Sequence, residues 1–168
     1  MTRSSLIYNY RYQLAIIQPQ TLTTMEMIGL ASDHAGFELK QYVIQYLQEK
    51  GISFKDYGTY STDSCDYPDY AHALALGMKQ GEVEKGIAIC GSGEGISMTL
   101  NKHQHIRAAL VWCPEIAHMT RLHNDANVLV MPGRYIDHAT AHDIMEEFLH
   151  TDFEGGRHIK RIEKIAVK

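Results

Sequence analysis

Apolar residues along this chain fall into short runs that alternate with segments of helical spacing. The run "MIGLAS" from Met27 stops at the polar turn Asp33-His34-Ala35-Gly36, which predicts a strand. The next segment, "FELKQYVIQYLQEKG", places Leu39, Val43, Ile44 and Leu47 at helical spacing and closes on Gly51. "ISFKDYG" predicts a second strand, less apolar and therefore near an edge. "YPDYAHALALGMKQG" predicts a second helix with Pro68 in its first turn, where a missing N–H does no harm. "KGIAIC" is a buried strand, and "GISMTLNK" a helix opening straight from a glycine loop. There follow a strand "IRAALVW", a helix "PEIAHMTRLHND" begun by Pro114, a strand "ANVLVMPG" and a helix "DHATAHDIMEEFLH". The tail "EGGRHIKRIEKIAVK" predicts one last helix entered from Gly155-Gly156.

Strands separated by helix-length segments imply right-handed crossovers and a parallel sheet covered on both faces. The expectation is α/β: a single doubly wound, Rossmann-like parallel sheet with helices on both faces, spanning residues 27–168. Residues 1–26 do not share this pattern and read as an N-terminal extension, flexible or dispensable. They lack the continuous apolar core and small-residue cleavage site of a signal peptide. Arg3 and Arg11, with no acidic residue before Glu26, leave a transit peptide as the other reading.

Composition narrows the function classes. The chain has 168 residues, enough for one domain with a respectable core. A net charge of -4 carries none of the strongly basic footprint expected of a nucleic-acid binder. No apolar run approaches the roughly 20 residues of a membrane helix. Three widely spaced cysteines argue against a disulfide framework and for a reducing compartment, the cytoplasm. The ten histidines form no HExxH motif and no paired Cys/His spacing, so a zinc site is not expected.

Ligands of doubly wound sheets sit outside the carboxyl ends of the strands. There the stretch "ICGSGEG" from Ile89 combines a thiol with three glycines. Gly91, Gly93 and Gly95 can turn backbone N–H groups onto a ligand oxygen; the alternative is an ordinary strand-to-helix turn. The spacing matches neither GxxxxGK[ST] nor GxGxxG. Thiolates are favoured at helix N-termini, so Cys90 is a candidate nucleophile or base, with a buried structural thiol as the bland alternative. Glu94 is a competing base that is equally readable as solvated. His34, after Asp33, and His123, before Asn124 and Asp125, are the histidines best placed for acid–base work. Arg157 and Arg161, four apart, share a helical face and could fork onto a phosphate, and Arg134 follows a strand's carboxyl end. Taken alone, these arginines read equally as a solvated basic face.

Together the stretches "SDHAGFELK", "DYPDYA", "ICGSGEGISMTLNK", "RLHNDANVLVMPGR" and "FEGGRHIKRIEKI" resemble the ribose-5-phosphate isomerase B family, which includes allose- and galactose-6-phosphate isomerases. The resemblance covers residues 27–168. It implies that Cys90 is the base moving a proton between C1 and C2, while Gly91, Ser92, Gly93, Glu94 and Gly95 cradle the enediolate oxyanion. It further implies that His123 assists ring opening, Asn124 binds substrate, and Asp33 and His34 contact the sugar. Arg134, Arg157 and Arg161 would hold the phosphate, with sites shared between the subunits of a homodimer or dimer of dimers.

Two departures refine the expectation. Family members without the cysteine use a glutamate just after the last glycine; Ile96 stands there, so the cysteine-dependent type is expected. The threonine common after the first glycine is Ser92, which keeps the hydroxyl. The galactose-6-phosphate enzymes divide these motifs between two different subunits, whereas this chain carries all of them. A homo-oligomeric, cofactor-free ribose 5-phosphate isomerase of the pentose phosphate pathway is therefore expected. An allose-6-phosphate isomerase and a catalytically silent sugar-phosphate sensor are the alternatives. A flavodoxin-type nucleotide binder ranks below both, because "SDHAGF" supplies only one glycine after the first strand.

Overall fold

A computed structural model describes residues 27–167; the extension expected over residues 1–26 lies outside the described residues. Five strands, β1 (Ile28–Ser32), β2 (Phe54–Asp56), β3 (Lys85–Cys90), β4 (Ala108–Leu110) and β5 (Val128–Pro132), form one sheet. All pairings are parallel, in the order β2-β1-β3-β5-β4. The helices are α1 (Phe37–Lys50), α2 (Tyr67–Lys79), α3 (Glu94–Leu100), α4 (Pro114–Asn124), α5 (His138–His150) and the short α6 (Ile159–Ile162). The doubly wound α/β expectation holds.

Strand alternation builds a core on each face. Ile28, Leu30, Ile87, Ile89, Leu129 and Met131 point to the side covered by α1, α4 and α5. Ala31, Ala88, Cys90, Val128 and Val130 point to the side covered by α2 and α3. On that second side a Cβ at Gly29 would come within 2.4 Å of Leu74, so the small residue lets α2 lie close. Burying a leucine such as Leu74 contributes about 2 kcal/mol.

The two edge strands are shorter than the apolar patterns predict, because each has a neighbour on one side only. The expected final helix is also shorter. Gly155 and Gly156 take positive φ (74° and 58°), a 3-10 turn follows over Gly156–His158, and α6 is a single turn. Within those two elements only His158 is buried, so there is no apolar face to hold a longer helix. Among the described residues no helix is long and apolar enough to cross a membrane.

Candidate active site

Neighbouring strands β1 and β3 connect to opposite sides of the sheet, and their carboxyl ends form the switch point where such folds bind ligands. Cys90 ends β3 with its side chain buried beside Ala31, Ala71 and Ile96. Its carbonyl accepts from the Gly133 amide (3.0 Å), and the Gly91 carbonyl accepts from the Arg134 amide (3.1 Å). In a trans peptide N–H and C=O point oppositely, so the amides of Gly91 and Ser92 turn away from β5. They face the end of β1, where Asp33 and His34 stand. The helix starts one residue earlier than the apolar pattern predicts: Gly93, at φ 78°, caps α3, and Glu94 opens it exposed to solvent.

Other side chains close around this loop. Asp33 is buried, and its Oδ1 accepts from the amides of Ala35 and Gly36, both at 2.9 Å, so it builds the β1–α1 corner. The Nδ1 of His34 lies 3.3 Å from both the N and the O of Cys65, which holds the ring against that peptide. A Cβ at Gly91 would lie 3.6 Å from Arg134, which places this arginine over the loop. A Cβ at Gly95 would meet the Tyr67 ring at 2.5 Å. Tyr67 therefore lies across the glycine loop, a position the sequence reading missed although the helix start at "DYP" signals it.

The remaining candidates are elsewhere. Helix α4 leaves the carboxyl end of β4 and delivers the chain to the amino end of β5. Its eleven residues span about 16 Å. His123 and Asn124 therefore stand at the opposite end of the sheet from Cys90. The tail joins them there, tied by the Glu154 amide donating to the Leu122 carbonyl (3.0 Å). The His123 and His158 rings stack, with centroids 4.3 Å apart and planes 10° apart. Their Nε2 atoms lie 3.6 and 3.5 Å from one Glu154 carboxylate oxygen. Burial first, and then the neighbouring His123 and Arg157, hold His158 below the usual imidazole range; Arg161 adds to this and Glu154 opposes it. Arg157 and Arg161 are both exposed beside this pair. Glu154 and His158 were not singled out from sequence, although the "EGGRH" stretch holds both.

Two histidines and a carboxylate within 4.8 Å make a donor set of the type that binds zinc. Two features oppose a cation there. Parallel rings aim their in-plane lone pairs side by side, and Arg157 Nε lies 3.5 Å from the His158 nitrogen that would serve as ligand. With two arginines alongside, the cluster suits an anion better.

One chain thus carries two separate groups of candidate residues: Asp33, His34, Cys90–Gly95 and Arg134 at the carboxyl end, and His123, Asn124, Arg157 and Arg161 at the amino end. A family model described as Ribose/Galactose Isomerase matches residues 28–165. Ribose-5-phosphate isomerase B of Escherichia coli (strain K12) is 43% identical over 142 residues, covering 84% of this chain and 95% of that protein. The crystal structure of a ribose 5-phosphate isomerase from Thermotoga maritima superposes with a TM-score of 0.82 at 49% identity, covering 83% of this chain and 97% of that one. A structure of ribose-5-phosphate isomerase B from Mycoplasma genitalium with bound ribulose-5-phosphate gives 0.78 at 39% identity, covering 83% and 93%.

Proposed function

This chain belongs to the ribose/galactose isomerase family and is an isomerase, and from that premise we propose that it interconverts ribose 5-phosphate and ribulose 5-phosphate in the cytoplasm. The observation that carries the substrate is the bound ribulose 5-phosphate in a relative that matches 83% of this chain.

In the forward direction the Cys90 thiolate takes the proton from C2 of the open-chain aldose. Charge moves onto the oxygen at C1, where the amides of the Gly91–Gly95 loop receive it. The thiol then returns the proton to C1 while the O2 hydroxyl proton passes to O1, so that the C2 carbonyl forms and the ketose results. Proton transfer by a positioned side chain of this kind contributes about 10²- to 10⁴-fold. Cys90 is better placed for it than Glu94, because the thiol is buried at the strand end while Glu94 is exposed. Before that step the furanose must open, and His123 transfers the proton between O1 and the ring oxygen. Asp33 builds the corner that presents His34 to the sugar, Asn124 binds a hydroxyl, and Arg134, Arg157 and Arg161 take the phosphate.

Because Cys90 and His123 stand at opposite ends of the strands, the complete site takes one half from each of two copies. A homodimer therefore has two such sites, related by its two-fold axis. The chain's three free thiols are consistent with a reducing compartment.

The test is ketose formation by the purified full-length protein from ribose 5-phosphate and, in parallel, from allose 6-phosphate. Faster turnover of ribose 5-phosphate is the expected result. Preference for the hexose phosphate would change the substrate and leave the reaction class intact. Turnover of neither would overturn the proposal in favour of a silent sensor.

A further inference from the structure

Asp125 ends α4 with φ 44° and ψ 45°, and among the described residues it is the one non-glycine residue with positive φ. Glycine takes this conformation without strain, and it is the usual residue at such a helix end. The carboxylate is what glycine would lack. Its Oδ1 accepts from Arg121 Nη1 at 2.8 Å and its Oδ2 from Arg107 Nη2 at 2.9 Å.

Both guanidinium groups also grip the main chain. Arg107 Nε donates to the carbonyls of Asn124 (3.2 Å) and Asp125 (2.8 Å), and Arg121 Nη1 donates to that of Ala126 (2.7 Å). Arg121 is buried over the Phe148 ring, and the Arg107 amide is itself held by Asn127 Oδ1 at 2.7 Å. Three consecutive carbonyls directly after His123 are thus tied to α4 on one side and to the entry of β4 on the other. Carbonyls at a helix end can be satisfied by water, so the helix does not by itself require this arrangement.

We propose that Asp125, acting through Arg107 and Arg121, is a positioning residue that sets the direction in which the last turn of α4 presents His123 toward Cys90 of the partner subunit. The proposal rests on His123 as the ring-opening group. Its necessity is geometric. A proton-transfer group must reach its target within hydrogen-bond distance, and here donor and target belong to different chains. The aim of His123 must therefore be built into its own chain.

The experiment compares wild type with Asp125→Gly, which suits the backbone but lacks the carboxylate, and Asp125→Asn, which tolerates the backbone and keeps one acceptor. Three readouts are taken on the full-length protein. These are amide hydrogen exchange at residues 123–127, kcat and KM with ribose 5-phosphate, and solvent-deuterium exchange into open-chain ribulose 5-phosphate. In Asp125→Gly the amides should exchange faster and kcat should fall about tenfold or more, with KM within about threefold and ketose exchange near wild type. Asp125→Asn should lie between. A kcat within about twofold of wild type despite faster amide exchange would make the clamp merely structural and overturn the proposal. Equal loss of both reactions would also overturn it. A wild-type protein that turns over neither sugar would instead remove the reading beneath it.

Discussion

The rings of His123 and His158 stack face to face, 4.3 Å between centroids, and His158 is the buried partner. A flat neighbouring ring restricts how His123 can rotate. Replacing His158 with phenylalanine should preserve this restraint, whereas alanine should lose it. The expected order of kcat with ribose 5-phosphate is wild type, then His158→Phe, then His158→Ala, the last down about tenfold. Equal losses in both variants would assign His158 a proton-transfer role instead.

The proposed division of the site between two chains predicts complementation. Cys90→Ala and His123→Ala should each be nearly inactive alone. After unfolding and refolding as an equal mixture, half the dimers are mixed and each holds one intact site. Activity should then recover to about a quarter of wild type. No recovery, with mixed dimers detected by mass spectrometry, would place both groups in one chain's site.

Cys90→Ala should remove deuterium exchange at C1 of ribulose 5-phosphate, a loss of about 10²- to 10⁴-fold, with the thermal midpoint little changed. Cys65→Ser and Cys113→Ser should retain turnover, since neither thiol ends β3. Retained exchange in Cys90→Ala would transfer the base role to Glu94 or to water.

Stability should fall as pH drops below about 6.5. His72 Nδ1 and His103 Nε2 lie 2.8 Å apart, a contact that requires at least one neutral ring. Burial first, then His72, His105 and Lys79, hold His103 below its ordinary value of 6.5. The unfolded chain takes up this proton near the ordinary value, while the folded chain resists until lower pH. Between those two values the unfolded state binds more protons, so acid favours unfolding. Urea midpoints measured from pH 7.5 to 5.5 should show this slope, and His72→Gln should flatten it. His158, also held low, should still contribute its share in that variant.

Two glycines of the loop should separate stability from activity. Gly93→Ala combines a φ of 78° with a Cβ 2.4 Å from Leu110, and should cost about 1–3 kcal/mol in thermal unfolding. Gly95→Ala meets only the partly exposed Tyr67 ring, which can swing aside. It should therefore spare the melting temperature more than Gly93→Ala does, yet reduce kcat, because Tyr67 leaves the cradle.

Much of this architecture was legible in local pattern. Near-continuous apolar runs marked β1, β3 and β5, because strands buried on both faces admit little else. Helical spacing and the positions of Gly51, Pro68 and Pro114 marked α1, α2 and α4 for equally local reasons. The residue set of the candidate site, Cys90 and His123 included, was also readable from motifs along the chain. Tertiary structure alone decided where those residues stand. Strand β5 inserts between β3 and β4, and α4 carries His123 to the end of the sheet opposite Cys90. It also brought Glu154 and His158 onto His123, and Arg107 onto Asp125, across 31, 35 and 18 positions of sequence. Periodicity reports which face of an element is buried, because that preference acts within a few residues. Which end of the sheet a side chain reaches depends on the crossovers, and these are set by packing among elements distant in the chain.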